Sequence, residues 1–401
     1  MKKYSLIFMT LLSACLIFAG CQTSSGIPKK QAEESSTEKS SVETTTEPID
    51  YQEEILSNYR PANLLDTTMA SSAQKDSCIL SPASIDIFIG LLYGGADENT
   101  KKEIEEYFHS QNFTNNQTKF LQDMKNRDLH IANGIWIQKG INAKSEYQDY
   151  LSKYLTRANM QDFSSPKNAS DRINTWVQNN TNKLIDSIVD EKDINNTKIF
   201  LANALYFNKP WAKIFNSDMI SKESFHSPDG EISVDMMHGE ADSYFENEHA
   251  VAFRKNYQDD FSFVGILPKD ETVDNAISLD IPSLLETETS SSDVMVDMPK
   301  FKKTLSYDLT DTFLRNGLHG VFNGGLNQMV EKEELIPDEI LHIIYIDVNE
   351  NGTEAAATTS AGFKATSLRA EKTVTLDRPF FFLIQDNSSG EVIFIGYINK
   401  I

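Results

Sequence analysis

Apolar residues follow a helical period in the first half of the chain. The segment opened by Ser81-Pro82 carries one apolar stripe, formed by Ile85, Phe88, Ile89 and Leu92. Serine is a favoured N-cap, proline suits the first helical position and Gly94-Gly95 supplies a stop, so this pattern predicts a helix. Apolar spacing also predicts helices over 145–157 and 170–188.

Later in the chain the pattern changes to that of strands. Ile199 to Phe207 is a nearly continuous apolar run, as expected of a strand that is buried on both faces. Shorter segments predict further strands, at 132–136, 234–237, 261–267, 294–298, 341–348 and 392–396. Helices early and strands late predict an α+β domain with large, mostly antiparallel sheets.

The segment 350–366 has the alternating pattern of a β-strand but the amino-acid composition of a loop. Small or apolar side chains alternate from Thr353 to Ala365, which is typical of a strand with one buried face. Ala, Ser and Gly are nevertheless poor strand formers, and Glu350-Asn351-Gly352 is typical of a flexible hinge. We therefore predict an exposed loop that can later enter a sheet.

The N-terminal residues have the composition of a targeting segment. Met1-Lys2-Lys3 and the apolar run over 6–19 are typical of a secretory signal peptide. The signal ends in Phe18-Ala19-Gly20-Cys21, which resembles a bacterial lipobox, so we predict removal of residues 1–20 and lipidation of Cys21. Ordinary secretion is the alternative.

A tether is predicted to follow the signal. Residues 21–50 are rich in Ser, Thr and Glu and contain too little apolar area to offset the entropy of ordering. We predict that this disordered tether precedes a single domain over 51–401. We expect the protein to lie in the cell envelope, lipid-anchored to the outer face of the bacterial membrane.

Charge and cysteine content exclude some functions. The formal net charge of -22 argues against a nucleic-acid partner, which would need a basic patch. Of the three cysteines, Cys15 and Cys21 belong to the signal region, so Cys78 has no disulfide partner in the domain. We predict that Cys78 is a buried apolar residue rather than a nucleophile.

Enzyme signatures are absent from the sequence. It contains no Gly-x-Ser-x-Gly elbow, no His-Glu-x-x-His, no phosphate-binding loop and no metal-spaced Cys or His cluster. A hydrolase built on Ser84 and His342 is conceivable, but nothing around them supplies an elbow. His342 shares a strand face with Ile344 and Ile346, which is typical of a hydrogen-bonded core histidine.

Several separated segments resemble the serpin family. Glu350-Asn351-Gly352-Thr353-Glu354-Ala355-Ala356-Ala357-Thr358 resembles the hinge of an inhibitory serpin, and 374–384 resembles the serpin C-terminal signature. The segments around Ser81, Ile173 and Asn203 are also serpin-like.

The resemblance spans about residues 51–401. Glu98 and Lys209 stand where the family commonly has glycine. The resemblance implies the serpin-like α+β fold, with a large central sheet, smaller sheets, N-terminal helices and an exposed reactive-centre loop from Thr353 to about Thr373.

The same resemblance implies site residues. The loop hinge comprises Glu350, Gly352, Thr353, Ala355, Ala356, Ala357 and Thr358. A polar cluster beneath the central strands, called the shutter, comprises Ser81, Ser84, Asn203 and His342. The top of the sheet is closed by Lys300, Glu350 and Trp211. Family spacing of roughly seventeen residues from Glu350 puts the reactive bond at Thr366–Ser367, with Leu368 and Arg369 as alternatives.

The implied function is inhibition of a serine or cysteine protease. Cleavage of the loop, covalent trapping of the acyl-enzyme and insertion of the cleaved loop into the central sheet are established serpin behaviour. Such an inhibitor is a monomer that needs no catalytic residue, cofactor or metal of its own. Small residues at Thr353 and 355–357 favour this function over the alternative, a non-inhibitory serpin used as a surface binding or adhesion module.

Overall fold

Helices dominate the first part of the chain and strands the second. The computed structural model describes residues 51–401 except 72–76, 128, 195–196, 291–293, 338–339 and 354–371. The helices are α1 Tyr51–Ser71, α2 Pro82–Tyr93, α3 Glu98–Phe108, α4 Phe113–Asn126, α5 Ser145–Lys153, α6 Pro166–Asn180, α7 Ile281–Glu286 and α8 Thr310–Arg315. Single 3₁₀ turns occupy Ser217–Met219, Ile277–Leu279 and Gly320–Phe322.

The strands carry most of the architecture. They are β1 Ser77–Leu80, β2 His130–Gln138, β3 Ala158–Gln161, β4 Ile199–Tyr206, β5 Lys209–Pro210, β6 Ile220–Ser227, β7 Gly230–Glu240, β8 Ser243–Glu246, β9 Ala250–Asn256, β10 Phe261–Pro268, β11 Thr289–Ser290, β12 Val294–Pro299, β13 Phe301–Asp308, β14 Ile340–Asn349, β15 Gly352–Thr353, β16 Lys372–Thr375, β17 Phe380–Asp386 and β18 Val392–Ile398. All the strands predicted from the sequence are confirmed, and the long apolar run ends one residue early, at Tyr206.

Two predicted helices end earlier than expected. The helix predicted over 145–157 stops at Lys153, because Leu155 takes a left-handed conformation at φ 58° and turns the chain into β3. The helix predicted over 170–188 is wrong at both ends: α6 begins at Pro166 and ends at Asn180. Asn182 and Lys183 both have positive φ, which an α-helix does not allow.

Helix α2 is more deeply buried than a single apolar stripe implies. Ser84 N–H donates to the capping hydroxyl of Ser81 at 3.2 Å, as predicted, and nearly every residue of the helix is buried. Its buried Asp86 is paired by Arg60, whose guanidinium lies 2.7 Å away. Cys78 is buried in β1, and burial raises the pKa of its thiol to about 12, so the thiol stays protonated.

The described strands form three sheets, and the predicted α+β fold with mostly antiparallel pairing is confirmed. One sheet has the order β1-β18-β17-β10-β9-β8-β11 and a second the order β16-β12-β7-β6. The central sheet has the order β3-β2-β4-β14-β15-β5, with β13 paired to β14. Parallel pairing occurs between β2 and β3, between β12 and β16, and between β4 and β14.

The parallel pair β4–β14 lies at the middle of the central sheet. It joins 201–205 to 340–344, and every residue of β4 is buried, as its apolar run predicts. A chain that leaves the end of β14 and folds back must run antiparallel to both of these strands. Among the described residues, no helix is both long and apolar enough to cross a membrane.

Candidate functional site

The central sheet is parted at one end by the segment predicted to be the hinge. Residues 201–205 of β4 pair directly with residues 340–344 of β14. At the C-terminal end of β14, the short strand β15 lies between β14 and β5. Thr353 is in register with Val348 on one side and with Lys209 on the other. The hinge has therefore already entered the sheet by two residues, while 354–371 lie outside the described residues.

Gly352 is the residue that allows this entry. Its φ is 156°, and a Cβ atom added there would lie 2.2 Å from the carbonyl oxygen of Lys209 and 2.6 Å from Cα of Pro210. Both are backbone atoms of β5, which cannot rotate away as a side chain can. Glycine is required here because β5 approaches the hinge too closely for any side chain.

The structure corrects the predicted limits of the exposed loop. Thr353, expected as its first residue, is fully buried, and its hydroxyl lies 2.5 Å from that of Tyr257. The ring of Tyr257 stacks on Trp211 at 4.1 Å between centroids, so Thr353 stands against a rigid aromatic pair. At the other end, Lys372 to Thr375 form β16, so Thr373 is in a strand. The predicted start of the exposed loop was wrong because Thr353 is buried by its pairing with β5 and its contact with Tyr257. Both contacts are between residues far apart in the chain and cannot be read from a local sequence pattern.

The backbone from Asn349 to Asn351, where the hinge begins, is held by the segment that follows β5. The indole N–H of Trp211 donates to the carbonyl of Asn349 at 2.9 Å, and its backbone N–H donates to Asn351 at 2.9 Å. Phe215 N–H donates to the carbonyl of Glu350 at 3.0 Å. Three successive carbonyls are thereby satisfied, so the turn between β14 and β15 has a defined shape.

Lys300 and Glu350 lie together, as predicted. Their charged atoms are 2.7 Å apart, and each side chain is about one quarter exposed. Burial, the largest single influence, opposes ionisation of Glu350, but the hydrogen bond and the charge of Lys300 together with a backbone hydrogen bond lower the pKa of Glu350. A partly exposed pair of this kind contributes about 1 kcal/mol.

The four residues predicted as a shutter form one buried hydrogen-bonded cluster. Ser84 Oγ donates to Asn203 Oδ1 at 2.8 Å, and Asn203 Nδ2 donates to the carbonyl of Ser84 at 3.2 Å. His342 Nδ1 lies 2.7 Å from Asn203 Oδ1, and Ser81 N–H donates to His342 Nε2 at 3.1 Å. Asn203 and His342 are register partners in the β4–β14 ladder. The cluster therefore spans the ladder and ties it to the start of α2.

His342 is neutral in this cluster. Because Nε2 accepts from a backbone N–H, the proton of the ring is on Nδ1 and is donated to Asn203. The ring is fully buried, and desolvation lowers its pKa to about 3. Protonation would leave a buried cation with no carboxylate beside it in the described cluster, so acid opposes this arrangement.

The family of the chain is shown by comparison with known proteins. A model of the family described as "Serpin (serine protease inhibitor)" matches residues 61–401. The chain belongs to the serpin family. A serpin-like protein of Methanosarcina mazei, uncharacterized, is 30% identical over 82% of this chain and 83% of its own length. Serpin-Z10 of Arabidopsis thaliana is 30% identical over 82% of this chain and 93% of its own length.

Two solved structures have the same fold as this chain. The native state of tengpin, a thermophilic serpin, matches with a TM-score of 0.75 and 26% identity over 88% of this chain and 96% of its own. Thyroxine-binding globulin in complex with thyroxine matches with a TM-score of 0.73 and 21% identity over 87% of this chain and 99% of its own. The first likeness agrees with membership of the family, and the second shows the shared fold alone.

Two residues of the serpin site were missed by sequence reasoning. Asn133 of β2 accepts from Asn203 Nδ2 at 2.8 Å and extends the shutter to a third strand. Its strand was predicted, but register with Asn203 decides the contact, and register is not visible in an isolated sequence. Tyr257, against Thr353, follows a strand and carried no motif.

Some predicted site residues lie outside the described residues. In the hinge these are Ala355, Ala356, Ala357 and Thr358. At the reactive bond they are Thr366, Ser367, Leu368 and Arg369, and at the N-terminus the residue is Cys21. Their roles stay predictions. Within the described residues, no cluster of three or more His, Cys, Asp or Glu has the geometry to hold a metal ion.

Ser221, His238 and Asp297 are arranged like the Ser-His-Asp catalytic triad of a hydrolase. Ser221 Oγ lies 2.9 Å from His238 Nε2, and His238 Nδ1 lies 2.6 Å from Asp297 Oδ1. However, Ser221 Oγ is also 2.7 Å from Glu223 Oε1, a carboxylate oxygen that accepts. The serine proton therefore goes to Glu223 and not to the histidine. Ser84 is likewise committed to Asn203, so neither serine is an activated nucleophile.

Replacing Gly352 by alanine tests the fit of the hinge in the sheet. We expect Gly352→Ala to lower the free energy of unfolding of the uncleaved protein by about 1–3 kcal/mol, because the new methyl group meets the backbone of β5. Urea unfolding measures it. Gly140→Ala is the control, since Gly140 also has positive φ, 98°, but a Cβ added there would meet no described atom within 4 Å. Equal losses in both variants would contradict the steric account.

The neutral state of His342 predicts a pH dependence. The folded pKa lies below the ordinary value of 6.5, so the stability from this residue is present above pH 6.5 and is lost as pH falls towards 3. Between pH 7 and pH 5 we expect the wild type to lose about 2 kcal/mol more unfolding free energy than His342→Gln, which cannot titrate. Urea unfolding at both pH values measures the difference. Parallel losses would show that His342 does not carry the effect.

Proposed function

We propose that this serpin inhibits a protease as a suicide substrate and traps it by inserting its own cleaved loop into the central sheet. The observation that carries the proposal is the position of Thr353, a small side chain already buried between β14 and β5. Entry has begun at the correct end of the sheet and in the antiparallel direction that β4 and β14 both require.

The chemistry of trapping is supplied by the protease. The nucleophile of the protease attacks a peptide bond in 354–371, the new amino end leaves, and an ester or thioester links the enzyme to the freed arm. Insertion of that arm competes with hydrolysis of the link. An arm of about 14 residues spans about 45 Å as a strand, so the enzyme is carried far from its starting place. Misplacing its catalytic groups by about 1 Å slows deacylation by about 100-fold.

The structure supports an insertion path between β4 and β14. Opening their parallel ladder breaks one set of backbone hydrogen bonds, and a new strand makes two sets, one with each neighbour. The shutter lies across the same ladder, with Asn203 on β4 and His342 on β14. Polar contacts of this kind can be exchanged for others as a strand arrives, whereas an interlocked apolar seam would have to repack.

The target bond is proposed from family spacing. Cleavage at Thr366–Ser367 suits an elastase-like or subtilisin-like protease. A shift to Leu368 suits a chymotrypsin-like enzyme and a shift to Arg369 a trypsin-like one. Mass spectrometry of the peptide released by each type of protease identifies the bond.

The proposed setting is the outer face of a bacterial membrane. The support is the signal-like start of the chain and Cys21, which together resemble a lipoprotein signal. Metabolic labelling with a fatty-acid analogue tests it: a Cys21→Ser variant that still incorporates the label would contradict anchoring at this residue.

A non-inhibitory binding module is the second candidate. The shared fold with thyroxine-binding globulin in complex with thyroxine means that the fold alone does not decide between the two functions. The small buried Thr353 and the glycine before it favour inhibition, because a binding module has no need for a hinge that fits the sheet. A module of this kind would be cut by proteases without retaining them.

Covalent capture tests the proposal directly. We expect incubation with a panel of serine and cysteine proteases, followed by a denaturing gel, to give one adduct of the summed mass with at least one enzyme. Prior inactivation of that enzyme's nucleophile should abolish the adduct. Inhibition would be contradicted if every protease that cleaves this protein kept its full activity and formed no adduct with it.

Thr353→Arg should convert the inhibitor into a substrate. Thr353 is already buried beside Tyr257, so an arginine either stays there as an unpaired charge, at a cost of about 3–5 kcal/mol, or leaves the sheet together with the start of the arm. Either outcome disfavours insertion, so deacylation should overtake it and the adduct yield should fall by about 100-fold. The ratio of adduct to cleaved product measures the partition. Thr373→Arg is the control, because Thr373 is exposed on β16. Undiminished trapping by Thr353→Arg would exclude insertion at this residue.

A further inference from the structure

Strand β5, which holds the outer side of the hinge, has little backbone pairing of its own. It consists of Lys209 and Pro210, and proline has no N–H to donate. Gln258 N–H donates to the carbonyl of Pro210 at 2.9 Å. The backbone N–H groups of Trp211 and Ala212, which follow β5, donate to the carbonyls of Asn351 and Asn256 at 2.9 Å and hold one end of the strand. The other end, at Lys209, needs an attachment of its own to stay against Thr353.

The side chain of Lys209 supplies that attachment. It is 5% exposed, although lysine is seldom buried. Its ammonium lies 2.9 Å from the carboxylate of Asp259 and donates to the backbone carbonyl of Arg127. Asp259 lies in the turn between β9 and β10, and Arg127 caps the end of α4, so one side chain joins β5 to two other elements.

The partners of Lys209 are themselves fixed. The guanidinium of Arg127 lies 2.8 Å from the buried carboxylate of Asp386, donates to the carbonyl of Asp259 at 2.7 Å, and lies 4.0 Å from the centre of the Phe261 ring. Lys209 thus bonds to a charged cluster that is anchored in the neighbouring sheet. A buried ammonium in this place is stable only while both of its partners stay in position.

We infer that Lys209 is a positioning residue that clamps β5 against the hinge and so keeps Gly352 and Thr353 in the sheet before any protease arrives. The clamp is a property of the uncleaved protein. Its consequence for inhibition rests on the proposed function: if the cleaved arm inserts as a strand, a hinge that is already hydrogen-bonded in the sheet provides the first residues of that strand.

Hydrogen exchange of the uncleaved protein, with no protease present, tests the clamp. Lys209→Met keeps the aliphatic stem and removes the ammonium. We expect amide protection in the peptide 349–353 to fall by about ten-fold or more, while protection in β13 is retained, because only the hinge loses its neighbour. Lys198→Met is the control, since Lys198 forms an exposed pair with Glu333 at the same 2.9 Å distance and precedes the start of β4, at the other end of that strand from the hinge.

A second variant covers the case in which Lys209→Met fails to fold. Asp259→Asn alters a side chain that is 57% exposed and leaves the lysine in place. It should lower hinge protection by about three-fold, and in a double-mutant cycle its effect should largely vanish when Lys209 is already methionine. The inference would be overturned if the two substitutions lowered hinge protection additively in the double mutant. It would also be overturned if Asp259→Asn, and any Lys209→Met protein that folds, kept the hinge protection of the wild type.

The functional consequence is measured separately from the clamp. If the wild type traps a protease, Lys209→Met should form about three-fold less adduct per cleaved molecule, because insertion starts from an unpaired hinge. Absence of any wild-type adduct would count against the proposed function and leave the exchange result standing. Deprotection of the hinge with an unchanged adduct yield would overturn the claimed link between the clamp and trapping.

Discussion

The parallel ladder between β4 and β14 is the interaction on which the rest of the structure depends. It closes the middle of the central sheet, and a segment that leaves β14 and enters there is flanked on both sides by strands of the correct direction. The hinge has entered above the ladder, and the shutter lies across it. The shutter holds this ladder closed, and the proposed trapping requires it to open.

The contacts that close the ladder are polar and local. Asn203 and His342 face each other in register, and Ser81 and Ser84 bond to them from the capped start of α2. At the hinge end the ion pair of Lys300 and Glu350 and the indole of Trp211 hold the turn before β15. None of these contacts is worth more than a few kcal/mol alone, so the proposed insertion does not require any one strong interaction to be broken.

The sequence predicted elements and candidate residues better than it predicted contacts. The apolar run from Ile199 to Phe207 and the Ser81-Pro82 start of α2 led directly to buried elements, because period and capping are local properties. The end of α6 and the burial of Thr353 could not be predicted in this way. They depend on which backbone reaches which position in the folded chain, as do the contacts of Asn133, Tyr257 and Lys209 with their partners.

The central claim is that the folded protein stores free energy which is released when the cleaved segment becomes a strand between β4 and β14. Thermal unfolding of the intact protein and of protein cut once within 354–371 tests this most directly. The account predicts that the cut protein melts more than about 10 °C above the intact one, since a full central strand has been added. Equal melting temperatures, with the two new chain ends still close together, would contradict it.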